Sequence, residues 1–203
     1  MTFRSVICCS IRNIIKIKAM KKLLFTLLFA VVAISSMAQE PFVATTIENG
    51  MFAENTKWYV MQIGTAKKVI QDNAGAEFIS LQTNGITGND DELWCFVGNG
   101  TDGYAIYNKQ AGVNKVLASD KTMNKEASAD GGATYPTMQL VDAMPENYVA
   151  RWHFSKSYEI SDEDGYFMKL YGTDYAVNDY AANGVLAFWT GGADAGSTII
   201  FKE

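Results

Sequence analysis

Cysteine and histidine are scarce in this sequence, and their scarcity excludes several kinds of chemistry. Of the three cysteines, Cys8 and Cys9 lie near the N-terminus and only Cys95 lies beyond residue 38, while His153 is the single histidine. One histidine and one cysteine are too few for a zinc site, and the sequence contains no Gly-x-Ser-x-Gly motif or serine–histidine–aspartate arrangement. We therefore expect no catalysis, no metal and no cofactor, and a fold without an intrachain disulfide, with Cys95 in or beside the core.

The sequence also lacks an apolar run long enough to cross a bilayer. Its longest candidate, Leu23–Ile34, has about a dozen residues, whereas a spanning helix needs about 20. Met20–Lys22 is basic and Ser36–Ala38 fits a small-x-small cleavage site, so residues 20–38 are predicted to be a secretory signal peptide cleaved before Gln39. Residues 1–19 are interpreted as an upstream extension from a misassigned start, or alternatively as a longer n-region. The prediction is an exported protein, periplasmic or extracellular, with no cysteine at the cleavage point for a lipid anchor.

Basic residues are few once the signal segment is removed. It contains six of the 17 basic residues and no acidic ones, so 11 remain against 22 acidic residues, a net charge of about −11. Such a chain repels phosphate backbones and anionic lipid, which argues against nucleic acid and membrane surfaces as partners. Residues 39–203 are enough to bury a core by themselves, and we expect a single, monomeric domain with no integral membrane segment.

Helical periodicity is missing after Ala38, and a repeated strand pattern takes its place. A tyrosine that opens one alternating pattern occurs three times, and each time a short apolar step, a further strand-like run and a closing aromatic motif follow. The opening motifs are Tyr59-x-Met61-x-Ile63, Tyr104-x-Ile106-x-Asn108 and Tyr166-x-Met168-x-Leu170; the closing motifs are Trp94-x-Phe96, Trp152-x-Phe154 and Ile199-x-Phe201.

The pattern predicts an all-β fold of three repeats with four short strands each: repeat one over about 57–101, repeat two over 102–160 and repeat three over 163–203. Asn-Gly and Asp-Gly pairs, including Asp102-Gly103 and Asp164-Gly165, supply turn residues that tolerate positive φ. The spacing is longest in repeat two, where Lys121–Tyr135 is interpreted as an inserted surface loop. The acidic clusters Asn89–Glu92 and Asp162–Asp164 lack the EF-hand spacing and are expected to be solvated turns.

Three such repeats suggest a β-trefoil with approximate threefold symmetry, and the motifs resemble ricin-type β-trefoil lectin domains of bacterial secreted proteins. The resemblance covers residues 57–203. Ricin-type repeats usually close on Gln-x-Trp; here the glutamine position is occupied by Glu92, Ala150 and Ser197, and Ile199 replaces the third tryptophan. These departures affect the lectin assignment more than the fold, because the closing residues serve the hydrophobic centre.

The resemblance implies where a sugar would bind. In that family a polar residue on the second strand and an aromatic ring at the end of the third form the site, with a further amide or acid. The polar position falls on Gln71, Ala118 and Asn178, and the aromatic position falls on Gln82, Val141 and Trp189. Repeat three alone keeps both elements. The predicted glycan site is therefore formed by Asn178, Asp179, Tyr180, Asn183 and Trp189, for a free glycan, a polysaccharide or a glycoprotein.

A protein-interaction domain, such as a protease inhibitor, is the alternative function. Inhibitor trefoils usually project one exposed loop, and Lys121–Tyr135 is the one long enough. It offers Lys121 and Lys125 to a trypsin-like pocket but has no disulfide to brace it. Ordering an unbraced loop costs entropy on binding, so a non-catalytic glycan-binding domain ranks first.

Overall fold

The computed structural model describes residues 40–121, 138–180, 185–189 and 194–203; for Tyr180 and Val185 it describes the backbone alone. The predicted signal segment and most of the predicted insertion lie outside these residues. The strands are β1 (Ile47–Glu48), β2 (Met51–Phe52), β3 (Tyr59–Ile63), β4 (Lys68–Gln71), β5 (Ser80–Gln82), β6 (Leu93–Asn99), β7 (Gly103–Asn108), β8 (Val116–Asp120), β9 (Gln139–Val141), β10 (Tyr148–Val149), β11 (Trp152–Lys156), β12 (Tyr166–Leu170), β13 (Ala176–Tyr180), β14 (Val185–Trp189) and β15 (Thr198–Lys202). Repeat one contains β3 to β6, repeat two β7 to β11 and repeat three β12 to β15.

The first and last strands of the repeats close into a six-stranded barrel. Around the ring, β3 pairs with β6, β6 with β7, β7 with β11, β11 with β12, β12 with β15, and β15 with β3, every pair antiparallel. The middle strands form one hairpin per repeat: β4 with β5, β8 with β9, and β13 with β14. In the described residues the helical elements are single 3-10 turns, including Asp90–Glu92 and Ala195–Ser197. This confirms the predicted all-β trefoil.

The repeat motifs occupy the core as the pattern predicts. Tyr59, Tyr104 and Tyr166 are at most 9% exposed, and Trp94 and Trp152 are fully buried. The two indoles also make equivalent hydrogen bonds: Trp94 Nε1 donates to the carbonyl of Ile70 at 2.9 Å, and Trp152 Nε1 donates to that of Leu117 at 3.0 Å. Each bond ties the closing strand of a repeat to its hairpin. Ile199 has no such donor, so repeat three holds its hairpin by other contacts.

One end of the barrel is closed by a residue outside the repeats. Phe42 stacks on Phe96 with 3.8 Å between ring centroids, and the edges or faces of Tyr104, Phe154 and Phe201 surround it at 4.9–5.6 Å. Three of these rings are the phenylalanines of the closing motifs. The N-terminal segment is anchored there by backbone bonds, since the N–H of Thr45 donates to the carbonyl of Phe96 at 2.8 Å.

Some local expectations are wrong. Glu92 was expected in a solvated turn, but it is 1% exposed, and its carboxylate accepts hydrogen bonds from the backbone N–H groups of Thr87 and Gly88 and from the Thr87 hydroxyl, at 2.7–3.2 Å. His153, between Trp152 and Phe154, is partly exposed, and its ring stacks on that of Tyr171 with 4.6 Å between the ring centroids. No helix in the described ranges is long and apolar enough to span a membrane.

Candidate functional site

The hairpin of repeat three brings the two predicted site elements onto one face. Across β13 and β14, Ala176 lies opposite Trp189 and Asn178 lies opposite Ala187. Residues directly opposite in an antiparallel pair share a face, and residues two apart on a strand share it too. Trp189 and Asn178 are therefore diagonal neighbours, with the two small alanines completing the face.

The strand register makes the three repeats directly comparable. In repeat one, Gln71 lies opposite Ser80 and Gln82 lies opposite Val69. Repeat two follows the same scheme, with Ala118 opposite Gln139 and Val141 opposite Val116. The polar and aromatic positions assigned from the sequence thus occupy equivalent places in all three hairpins. The combination of an amide and an aromatic ring occurs in repeat three alone.

Asn178 holds the base of this face together. It is 5% exposed, and its Nδ2 donates to the hydroxyl of Ser197 at 2.9 Å and to Oδ2 of Asp194 at 3.3 Å. Ser197 occupies the position that is glutamine in ricin-type repeats. Gly196 lies between these partners, and a Cβ there would approach Asn178 Nδ2 and Asp194 Oδ1 to 3.0 Å. The Asn178 amide therefore orients the Asp194 carboxylate and leaves little of itself accessible.

Asp194 is a candidate site residue that the repeat pattern did not predict. It is the N-cap of the 3-10 turn Ala195–Ser197, and its Oδ1 accepts a hydrogen bond from the N–H of Gly196. The residue is partly exposed, so its carboxylate can also accept hydrogen bonds from outside. A recognisable signal was present: Asp194 stands at a typical capping position just before a closing strand.

Asp179 lies apart from Asn178 and Trp189. It is opposite Leu186 and so belongs to the other face of the hairpin. Its Oδ1 accepts from Lys68 Nζ at 2.8 Å in an ion pair whose side chains are 16% and 10% exposed, and a Cβ on Gly64 would lie 3.2 Å from its Oδ2. Asp179 thus links repeat three to repeat one. Of the other predicted site residues, Asn183 and the side chain of Tyr180 lie outside the described residues.

The corresponding place in repeat one is occupied by the protein's own side chains. Gln82 Nε2 donates to the carbonyl of Gly85 at 2.9 Å and to the Glu92 carboxylate. Gln71 Nε2 reaches the Ser80 hydroxyl at 3.4 Å. These polar groups satisfy one another, and repeat one has no ring at the position of Trp189. Repeat two places the apolar Ala118 and Val141 there.

Comparison with known proteins identifies the fold. No family model and no curated protein matches the chain. Among solved structures, the ricin B-like lectin of Macrolepiota procera, determined in complex with lactose, aligns over 78% of this chain and 99% of its own, with 14% identity and a TM-score of 0.51. The chain has the fold of ricin B-like lectins. At such identities the likeness extends to the fold alone.

Two further solved structures indicate the range of proteins that share this shape. SeviL, bound to the asialo-GM1 saccharide, aligns over 73% of this chain and 98% of its own, with 13% identity and a TM-score of 0.50. An exo-β-1,3-galactanase from Clostridium thermocellum aligns over 77% of this chain but 33% of its own, with 19% identity and a TM-score of 0.51. In that enzyme the likeness is confined to about a third of the chain.

Proposed function

We propose that this protein is an exported, non-catalytic glycan-binding domain with one site, in repeat three. The observation that carries the proposal is the diagonal pair of Trp189 and Asn178 on one hairpin face, which neither of the equivalent hairpins has. The fold shared with saccharide-bound lectins supports it. The scarcity of histidine and cysteine, which leaves few candidates for catalysis, supports the non-catalytic part.

Each residue of the proposed site has a distinct role. Trp189 is partly exposed at the end of β14, where its ring supplies a flat apolar surface for the C–H face of a pyranose. Asp194 supplies a carboxylate that accepts hydrogen bonds from sugar hydroxyls. Asn178 positions that carboxylate from below, 3.3 Å away. Asp179 is left out, because its carboxylate is already paired with Lys68.

A glycan array followed by titration with the hits is the first test. A shallow site with one ring and one carboxylate should bind weakly, with a Kd of about 0.1–1 mM, equivalent to about 4–5.5 kcal/mol. Trp189→Ala should remove detectable binding, because it removes the stacking surface. As the ring is partly exposed, we expect a loss of about 1–2 kcal/mol in the free energy of unfolding.

Trp58→Ala is the matched control. Trp58 is also partly exposed, but it packs on Phe52 at 5.1 Å in another part of the molecule, so its loss should leave glycan binding unchanged. Val141→Ala, at the position equivalent to Trp189 in repeat two, should also leave binding intact. Equal loss of binding in Trp58→Ala and Trp189→Ala would mean that the site is not at Trp189.

Asp194→Asn tests the polar half of the site. Asparagine is as good an N-cap as aspartate, so the 3-10 turn should persist. A hydrogen bond to a neutral acceptor is weaker than one to a carboxylate by about 1 kcal/mol, so affinity should fall about fivefold. If no glycan binds the wild-type protein, the proposal is wrong and the protein-interaction alternative takes its place.

A further inference from the structure

A second candidate site lies between repeats one and two, away from Trp189. It is a cleft of about 350 Å³ where the β4–β5 connection of repeat one faces the β7–β8 connection of repeat two. This volume is at the lower end of the range for small-ligand pockets, about 300–1,000 Å³. Its walls include Asp72, Glu77, Phe78, Gln110, Lys115 and Leu140.

Carboxylates outnumber cations around this cleft. Asp72 and Glu77 are the two acidic side chains of the lining. Asp91 is not part of the lining but lies next to Asp72 in the fold, because the N–H of Asp72 donates to the carbonyl of Asp91 at 2.9 Å. Lys115 is the one cation of the lining. Among the described residues Asp72 has no salt bridge, and Oδ1 of Asp91 is buried without a hydrogen-bond donor. The lining therefore carries more negative than positive charge.

The surroundings of the cleft shift the pKa of the Asp72 carboxyl. Burial is the main cause that raises the pKa of its carboxyl above the ordinary value; the charge of Lys115 partly offsets the rise, and that of Asp91 adds to it. A desolvated carboxylate is stabilised by a nearby positive charge. A cationic ligand would supply positive charge next to Asp72, where the protein itself provides only that of Lys115.

The remaining walls are apolar. Phe78 is partly exposed, and Leu140 packs on the hydrophobic core from the side of β9. Ile79, next to Phe78, is also part of the lining and is 2% exposed. A ligand that carried its charge on a short hydrocarbon stem could contact these side chains while its charged end reached Asp72. Long cationic side chains have this composition.

We propose that the cleft binds an alkyl cation, an ammonium or guanidinium group on a short apolar stem. An anion would meet two carboxylates and one lysine, and a neutral polyol would leave the charge of Asp72 offset by Lys115 alone. A metal ion is disfavoured, because nowhere in the described part of the chain do three or more suitable ligand side chains come together. The same chemistry is found in free amines and in the lysine or arginine side chains of a protein partner.

The test is a residue-resolved NMR titration of the purified protein at low salt with n-butylammonium, Nα-acetyl-lysine methylamide and Nα-acetyl-arginine methylamide. We expect saturable shifts at backbone amides of residues 72–79 and 110–115, and none with n-butanol, which has the stem without the charge. An amino-acid derivative that binds at least about tenfold tighter than n-butylammonium would indicate a protein side chain as the natural ligand, and equal affinities would indicate a free amine.

Two variants with opposite expected signs make the proposal specific. Asp72→Asn should weaken binding at least about tenfold, because it removes the partner charge. Lys115→Gln should tighten binding several-fold, because it removes a competing cation. Glu54→Gln, an equivalent charge change outside the cleft, should change nothing, and glycan titrations should be the same in all three variants. Absence of saturable shifts at these amides, an unaffected Asp72→Asn or a weakened Lys115→Gln would each overturn the proposal.

Discussion

At the scale of single residues, two tryptophans differ in how deeply they are buried and therefore in what they can contact. Trp152 is fully buried in the core. Its ring lies parallel to that of Phe188 with 6.3 Å between the ring centroids, and its indole N–H donates to the carbonyl of Leu117. Trp189, next to Phe188 in sequence, faces the other side of its strand and remains partly exposed. The same residue type thus serves the core in one place and is available to a ligand in the other.

Trp152→Ala should lower the free energy of unfolding by about 3–5 kcal/mol, the range for loss of a fully buried large side chain. The cost combines the lost apolar contacts, a cavity and the loss of the hydrogen bond from the indole to the Leu117 carbonyl. Urea denaturation followed by circular dichroism would measure it. Trp152→Phe keeps much of the volume but not the donor, so it should cost less than the alanine variant; equal costs would contradict a hydrogen-bonded, tightly packed indole.

Cys95 should be chemically silent in the folded protein. The residue is 0% exposed, and burial raises the pKa of its thiol to about 12. Since the thiolate is the reactive form, the folded protein at pH 8 should react with a thiol reagent only as it unfolds. The measurement is the rate of labelling with and without urea. A reducing agent should leave the Tm unchanged, and a drop in Tm on reduction would reveal an intermolecular disulfide.

At the scale of elements, two similar turn sequences need their glycine for different physical reasons. Asp102-Gly103 and Asp164-Gly165 introduce corresponding barrel strands, and both glycines were expected to provide positive φ. Gly103 does so, with φ of 80°. Gly165 has no positive φ; it is needed for space, because a Cβ there would lie 1.9 Å from the carbonyl oxygen of Tyr158 and 2.3 Å from Cγ2 of Thr198.

Gly165→Ala should therefore be far more damaging than an alanine at a glycine with open surroundings. Gly112 is the matched control: its φ is 76°, and nothing lies within 4 Å of a Cβ built there. Gly112→Ala should cost about 1–2 kcal/mol of backbone strain. Gly165→Ala adds overlap with backbone and should cost several kcal/mol or prevent folding. Thermal melts of both variants compare them, and similar Tm values would contradict the close approach.

Sequence periodicity predicted the elements better than it predicted their polar contacts. The strands and the equivalence of Asn178 with Gln71 and Ala118 followed from local alternation and spacing, which a repeat displays three times. The ion pair of Asp179 with Lys68 joins residues far apart in the chain, and the hydrogen bond of Asn178 to Asp194 crosses from a strand to a separate turn. Such partners depend on tertiary placement, about which a single sequence carries little information.

At the scale of the whole molecule, the three repeats do not close the barrel unaided. Phe42 is 7% exposed and fills the mouth lined by the phenylalanines of the closing motifs. It belongs to no repeat, so no periodic pattern could predict its role. The approximate threefold symmetry is therefore broken at this end by a single N-terminal side chain.

Phe42→Ala should cost about 3–5 kcal/mol in the free energy of unfolding, as for other buried rings. Val43→Ala is the control, because Val43 is 62% exposed and contributes its backbone N–H, which alanine retains, to the hydroxyl of Tyr59. The control should lie within about 0.5 kcal/mol of wild type. Equal stability of the two variants in urea denaturation would mean that the ring does not complete the core.

The position of Phe42 also has a consequence for the order in which the chain can fold. Its ring contacts Phe201, and β15, which carries Phe201, pairs with β3 to close the ring of strands. These contacts join the beginning of the described chain to its end. A ribosome releases Phe42 long before Phe201, so the barrel cannot close around the Phe42 ring until β15 has emerged. Folding that depends on contacts between such distant parts of the chain is slow.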